Sequence, residues 1–296
     1  MSRIHDILKK AERDGGMHRT RAIDGDGGSA ASAVAEPPAM PIAPPPVRRA
    51  ATDDATPAPV SQAPARSNAG LLDVRLVAAH APQSLAAEQY RSLRTRVNNA
   101  ENGRALRAVL ITSPNKGDGK SLTAANLALT MAQEFQQRVL LIDADLRRSS
   151  IHRLFGITDS PGLSDILMGG AGIDDALVTV PEHRLTILPS GGTPAHPAEL
   201  LGSAAMRRVL DTLRTRFDRI LIDMPPVAPL ADVAIASSMA DGILMIVRAG
   251  VTPRPAIERA LSGLDMSKVL GLVLNDAGDT AAAYGYGYGP DGYTAG

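Results

Sequence analysis

The chain has no cysteine and no tryptophan, and only 3 phenylalanines and 5 tyrosines in 296 residues. Without cysteine there is no disulfide framework, no thiolate metal site and no cysteine nucleophile. Neither sign of charge is in excess, since 31 Lys and Arg meet 31 Asp and Glu. No global field therefore draws the chain to nucleic acid or an acidic substrate. No apolar run approaches the ~20 residues that span a bilayer. Met1-Ser-Arg-Ile-His-Asp lacks the apolar core of a secretion signal, so an intracellular chain is expected. The length leaves room for one α/β domain of about 200 residues plus extra segments.

Large apolar side chains are also missing from whole stretches. Residues 15–70 are rich in Ala, Pro, Gly and Ser and include Pro44-Pro45-Pro46. Such a segment buries too little surface to offset ordering entropy and is expected to act as a spacer. Before it, in residues 1–14, Ser2 can cap a short helix from Arg3 to Arg13 carrying Ile4, Ile7 and Leu8 on one stripe. That helix is either a docking element for a partner or membrane surface, or a frayed end. At the other end, residues 276–296 alternate glycine with Tyr284, Tyr286 and Tyr288, then reach Tyr293, and cannot pack. Four of the five tyrosines thus fall outside any core, which is costly to solubility unless they are used.

What remains, residues 71–275, carries the chemistry. Val109 to Ile111 is a continuous apolar run, the pattern of a buried parallel strand. It leads into Ser113-Pro-Asn-Lys-Gly-Asp-Gly-Lys-Ser121 and then a helical pattern from Leu122 to Ala132. Strand, glycine loop, Lys-Ser and helix form the setting of a phosphate-binding loop. Gly117 and Gly119 let backbone N–H groups turn inward, Lys120 reaches outer phosphates and the Ser121 hydroxyl can bind magnesium. Pro114 stands where the general pattern has glycine. The strand Arg138 to Asp143 delivers Asp143 and Asp145 at its carboxyl end, where α/β sheets bind ligands. The strand Phe217 to Asp223 ends in a carboxylate like a Walker B segment.

Further elements are expected along this region: a helix from Ser84 to Val97 with Leu85, Tyr90, Leu93 and Val97 buried, and a short helix over Pro161–Leu167. A strand is expected over Leu185–Pro189 and one continuous helix from Pro197 to about Arg216. Helix Leu230–Met239, strand Gly242–Val247, helix Pro255–Leu264 and strand Val269–Leu274 complete the series. The alternation predicts an α/β fold: a mostly parallel sheet with helices on both faces. Asn275, ending the last strand, can offer its amide to a nucleobase or simply make a turn. Glu88, Arg91 and Arg94 share one helix face.

The set of the glycine loop, Leu-Leu-Ile-Asp-Ala-Asp-Leu-Arg, Ile-Leu-Ile-Asp-Met-Pro-Pro and the tyrosine tail resembles the bacterial tyrosine kinases of capsule and exopolysaccharide export, P-loop proteins related to MinD/ParA ATPases. The resemblance runs from about Leu71 to the C-terminus. It implies ATP held by Gly117, Asp118, Gly119, Lys120, Ser121 and Leu122, with Asn275 at the base. It implies Mg2+ on Ser121, Asp143 and Asp223, and catalysis by Lys120, Asp143 and Asp145, with one aspartate assisting the attacking tyrosine. Glu88, Arg91 and Arg94 match its Glu-x-x-Arg-x-x-Arg oligomerisation motif, and Tyr284, Tyr286, Tyr288 and Tyr293 become the phosphorylation sites. A ring-like homo-oligomer, a separate transmembrane chain-length regulator, a cognate phosphotyrosine phosphatase and a place at the inner face of the plasma membrane follow from the same resemblance. Asp118 stands where the family usually has glutamate, and His196 where asparagine is usual. The signature lysine of MinD/ParA loops is absent, its position being Asn115, which favours a kinase over a switch ATPase that only controls assembly. Ser2 to Glu12 also resembles autokinases of exosortase-associated exopolysaccharide loci.

Overall fold

The computed structural model describes residues 72–100, 106–134, 137–227, 233 and 237–277. The expected helix at Arg3–Arg13, the linker, most of the helix Leu230–Met239 and the four tail tyrosines lie outside them. Seven strands form one sheet: β1 (Ala108–Thr112), β2 (Val139–Asp143), β3 (Val178–Val180), β4 (Leu185–Leu188), β5 (Arg219–Asp223), β6 (Gly242–Arg248) and β7 (Val269–Asn275). Their spatial order is β3-β4-β2-β5-β1-β6-β7. Every neighbouring pair is parallel except β3 with β4. Strands β1, β2 and β5 are buried at every position, which explains their unbroken apolar sequence.

The strands' side chains alternate between two apolar layers. Leu110, Leu140, Ile142, Ile220 and Ile222 pack with Met206, Leu210 and Leu213 on one face. Val109, Ile111, Leu141 and Leu221 pack with Ala124, Leu127, Ala128 and Met131 on the other. Each large aliphatic side chain so buried contributes about 1.5–3 kcal/mol. The second layer contains α3 (Lys120–Ala132), the helix that follows the glycine loop, so this loop is seated on the protein's most buried elements.

Against α3 lie α1 (Val77–His80) and α2 (Leu85–Asn99). Ser84 caps α2 as expected, its hydroxyl accepting from the Ala87 N–H at 3.2 Å. Leu85 departs from expectation: it is 63% exposed, while Tyr90, Leu93 and Val97 face the core. The face through Tyr90, Leu93 and Val97 runs back three residues to buried Ala87, not five to Leu85.

After β2 come α4 (Ile151–Phe155), α5 (Leu163–Leu167) and α6 (Ile173–Ala176). The expected single helix from Pro197 to Arg216 is two, α7 (Pro197–Leu201) and α8 (Ala204–Arg216). Gly202 ends the first, and Ser203 starts the second by accepting the Met206 N–H at 3.2 Å. The last helix among the described residues, α9, spans Arg254–Ser262.

Candidate nucleotide-binding and active site

Strand β1 lies where the chain changes direction across the sheet, with β5 and β2 on one side and β6 and β7 on the other. Ligands of open α/β sheets bind at such a switch point. The glycine loop follows β1 there. Gly117 (φ 90°) and Gly119 (φ 95°) both hold left-handed backbone, which a side chain would strain. Gly119 is the residue before α3 and offers no side-chain cap, so the first N–H groups of that helix are left for a ligand.

Buried Asp118 organises the loop. One carboxylate oxygen accepts the Asn115 N–H at 2.8 Å and the other accepts the Thr252 hydroxyl at 2.8 Å. Its backbone carbonyl accepts from Asn275 Nδ2 at 3.0 Å. A Cβ on Gly119 would stand only 2.0 Å from that amide nitrogen. Asn275 therefore braces the loop with one amide hydrogen, leaving its other amide hydrogen and Oδ1 for the nucleobase contact expected of it.

Lys120, the first residue of α3, lies with its ammonium 2.8 Å from Asp145 and 3.4 Å from Asp223, and 3.1 Å from the Ser121 hydroxyl. Burial alone would lower the lysine pKa, but Asp223 and Asp145 outweigh it and the net shift is upward. Burial likewise pushes the Asp223 carboxyl up, against the pull of Lys120. Asp223 Oδ2 is buried with no hydrogen-bond partner among the described residues.

The two aspartates after β2 behave differently. Asp145 faces the cleft. Asp143 is fully buried, with Oδ1 accepting the Asp145 N–H at 3.2 Å and Oδ2 accepting the Ser150 and Ile151 N–H groups at 2.9 and 3.0 Å. Burial first, then Asp223, pushes its carboxyl up to about 7 against those N–H groups. It holds the loop that carries Asp145.

These residues line a cleft of about 1060 Å³ along the strands' carboxyl ends, large enough for a nucleotide and more. On the β6–β7 side are Arg248, Asn275 and Asp276; on the β2–β4 side are Arg147, Arg148, Ser149, Ser150, Arg153 and Thr193. Arg75 and Lys116 stand at its rim. None of these except Asn275 was assigned a role from sequence. Arg147, Arg148 and Arg248 could have been found by the strand-end rule that found Asp145. Arg75 could not, being placed by Asn126 of α3, whose amide donates to the Arg75 carbonyl at 3.1 Å and accepts the Ala78 N–H at 3.0 Å.

The three residues of the Glu-x-x-Arg-x-x-Arg motif on α2 separate. Glu88 and Arg91 pair with each other at 2.5 Å; the Glu88 side chain is exposed at 65%, and that of Arg91 is half-buried at 33% and also donates to the Pro82 carbonyl. Arg94 turns to α3 instead, pairing with Glu134 at 2.9 Å and donating to the Thr130 carbonyl at 2.9 Å. Tyr90 sits on the same face against Thr123 and Asn126, its hydroxyl pKa raised by burial despite both hydrogen bonds.

The cradle suits a nucleotide, and Asp223 with its unpartnered buried oxygen suits a divalent ion. Among the described residues no three His, Asp or Glu side chains converge as a metal cage. Magnesium in phosphate sites uses few protein ligands and completes its shell with phosphate and water. Fold and site together define a P-loop ATPase, and the AAA-domain family matches residues 107–262. Tyrosine-protein kinase YwqD of Bacillus subtilis is 37% identical over 202 residues, which cover 68% of this chain and 85% of YwqD. Tyrosine-protein kinase ptk of Acinetobacter johnsonii is 34% identical over 214 residues, 72% of this chain but 29% of that longer protein. The kinase domain of the Escherichia coli tyrosine kinase ETK superposes with a TM-score of 0.65 at 28% identity, covering 68% of this chain and 79% of that one. The chain belongs to the bacterial protein-tyrosine kinases and is a kinase of that type.

Proposed function

We propose that this kinase transfers the γ-phosphoryl group of ATP to tyrosines of its own C-terminal segment, presented by a neighbouring subunit, and that the cycle regulates exopolysaccharide or capsule export. The observation that carries this is the Lys120 ammonium held between Asp145 and Asp223 at the start of the loop helix. A nucleotide's outer phosphates compete for that ammonium, and releasing Asp145 leaves a carboxylate facing the cleft. The tyrosine oxygen then attacks the γ-phosphorus, the bond to the β,γ-bridging oxygen breaks, and ADP leaves. The phenolic proton passes to Asp145. Asp223 with Ser121 would hold magnesium, whose charge offsets that of the phosphates. Asp143 acts by positioning, since its oxygens hold the loop of Asp145 in place. Catalysis rests on alignment and charge, because phosphoryl transfer asks for little covalent chemistry.

Glu88 and Arg91, at the surface of α2, would form the subunit contact of a ring, and each phosphotyrosine, adding about −1.5 to −2 charges at pH 7, would loosen it. No helix of the described residues is long and apolar enough to cross a membrane. In the much longer ptk the matching part is under a third of the chain. A transmembrane regulator on a separate chain is the partner proposed here, holding the kinase at the membrane, with a phosphatase resetting it. The narrower placement among exosortase-associated kinases rests on residues 2–12. The test is phosphotyrosine formation by the purified chain with Mg-ATP, beside a version truncated after Thr280. Signal in the first and none in the second is expected. ATP hydrolysis with no phosphotyrosine, even with the partner's cytoplasmic segment added, would instead indicate a switch ATPase.

A further inference from the structure

The cleft is larger than its nucleotide end requires, and its two sides differ in charge. On the β6–β7 side the one arginine is matched: Arg248 pairs with Asp276 at 2.8 Å. On the β2–β4 side Arg148 and Arg153 line the cleft among the hydroxyl groups of Ser149, Ser150 and Thr193, with Arg147 beside them. The one carboxylate lining that side is Asp145, already paired with Lys120.

These arginines stand on a fixed turn. Asp145 accepts the Arg148 N–H at 3.1 Å, Asp143 accepts the Ser150 and Ile151 N–H groups, and an Arg153 guanidinium nitrogen donates to the Ser149 carbonyl at 2.7 Å. The two aspartates of the active site thus set the backbone from which the arginines rise. A turn held this way presents its charges without the ordering cost a mobile loop would bear. The segment this kinase is proposed to modify has the complementary charge. Residues 276–296 contain Asp276, Asp279 and Asp291 and no lysine or arginine, in a chain whose overall charge is zero.

We infer that Arg148 and Arg153, with Arg147 beside them, form an acceptor subsite that reads negative charge around the incoming tyrosine. The subsite binds a neighbouring copy's tail more tightly once one of its tyrosines already carries phosphate. The inference rests on the tail being the acceptor. Arginine forks suit phosphate oxygens, and alternating glycine leaves each tail tyrosine two residues from the next, close enough for one to sit in the subsite while another meets Asp145. Phosphorylation of the cluster would then proceed faster after its first event, until accumulated charge drives the subunits apart.

The test is binding, which needs no turnover. A labelled peptide of residues 276–296, with or without phosphate on Tyr288, is titrated against the full chain by fluorescence anisotropy. The phosphorylated form should bind about fivefold tighter, as expected of two exposed charge pairs, and the preference should shrink with salt. In Arg148→Glu/Arg153→Glu the preference should vanish or invert, while Arg207→Glu/Arg208→Glu, on α8, should keep it. Equal affinity for the two peptides, or a preference untouched by the charge reversal, overturns the inference. Loss of the preference with no phosphotransfer to either peptide by the unaltered chain would uphold the subsite and instead overturn the reading of the tail as acceptor.

Discussion

Two charged clusters in this kinase look alike on paper and behave differently in the fold. Lys120, Asp143, Asp145 and Asp223 are largely buried and are held by one another and by backbone N–H groups of the same chain, with Asp223 Oδ2 alone left for a ligand. Glu88 is exposed and pairs only with half-buried Arg91, which also donates to the Pro82 carbonyl, while Arg94, third in the same motif, has turned inward to Glu134. Buried charge must be compensated locally, so its geometry is complete in one chain. Exposed charge carries no such demand, and a partner elsewhere can complete it at little cost to the fold.

The strongest way to break the buried cluster is Lys120→Met. It should abolish phosphotyrosine formation, by a hundredfold or more on the order of what removing one transition-state charge costs. It should also lower stability by up to about 3–5 kcal/mol, because Asp145 and Asp223 lose their counter-ion. Adding Asp223→Asn should recover much of that stability in calorimetry without restoring phosphotransfer. Full stability in the single variant would mean that the aspartates find another partner, and the contrast with α2 would weaken.

Next in size is Gly119→Ala, which leaves every charge in place. The new Cβ meets the Asn275 amide and sits on left-handed backbone, a strain of about 1–3 kcal/mol. Nucleotide Kd, read with a fluorescent analogue, should rise about tenfold or more. The same substitution at Gly117, where a Cβ meets nothing within 4 Å, should cost only the backbone term.

Legibility in the sequence follows the same divide. Strands β1, β2 and β5 and the loop after β1 could be read because full burial forces unbroken apolar runs with chemistry at their carboxyl ends. Strand β3 could not: it has three residues, only its first is fully buried, and antiparallel pairing at an edge imposes no long apolar run. The break at Gly202-Ser203 was present as a stop-and-start signal that the apolar spacing on either side concealed. The inward turn of Arg94 was not legible because its partners, Thr130 on α3 and Glu134 just beyond it, lie some 36 to 40 residues away, and spacing within α2 cannot show which way one member faces. Asn126 was missed for the same reason, its acceptor and donor being 51 and 48 residues away.

Splitting that motif by mutation sharpens the comparison. Arg94→Ala removes a half-buried ion pair and a bond to the Thr130 carbonyl, and should cost about 1–2 kcal/mol in the monomer's unfolding free energy. Arg91→Ala should stay within about 0.5 kcal/mol by the same measure, yet lower the assembled fraction in mass photometry. If Arg94→Ala lowers assembly at unchanged stability, its inward pairing gives way in the oligomer and all three residues belong to the exposed set.

The smallest effect concerns Asp73, which supports Arg75 at the cleft rim through Nε and Nη2 contacts of 2.8 and 2.7 Å. Hydrogen bonds from the Arg75 side chain, then from its backbone N–H, hold the Asp73 carboxyl down at about 2, against 3.8 unperturbed. A lowered acid pKa stabilises the fold above the unfolded value and loses that contribution as pH falls through the folded one. Relative to Asp73→Asn, the native chain should therefore be more stable above about pH 4, with the gap closing towards pH 2. Arg75 is largely exposed and Asp73 partly so, and solvent screens the pair, so the gap should be under about 1 kcal/mol and shrink in salt. Asp143 carries the opposite sign: raised to about 7, its favourable contribution is present below 3.8 and is lost as pH rises to neutrality in the nucleotide-free chain. Thermal scans of Asp73→Asn and Asp143→Asn across that range should give slopes of opposite direction relative to the native chain. Parallel slopes would mean that Asp143 is not desolvated as its burial implies, and that the two clusters differ in position but not in kind.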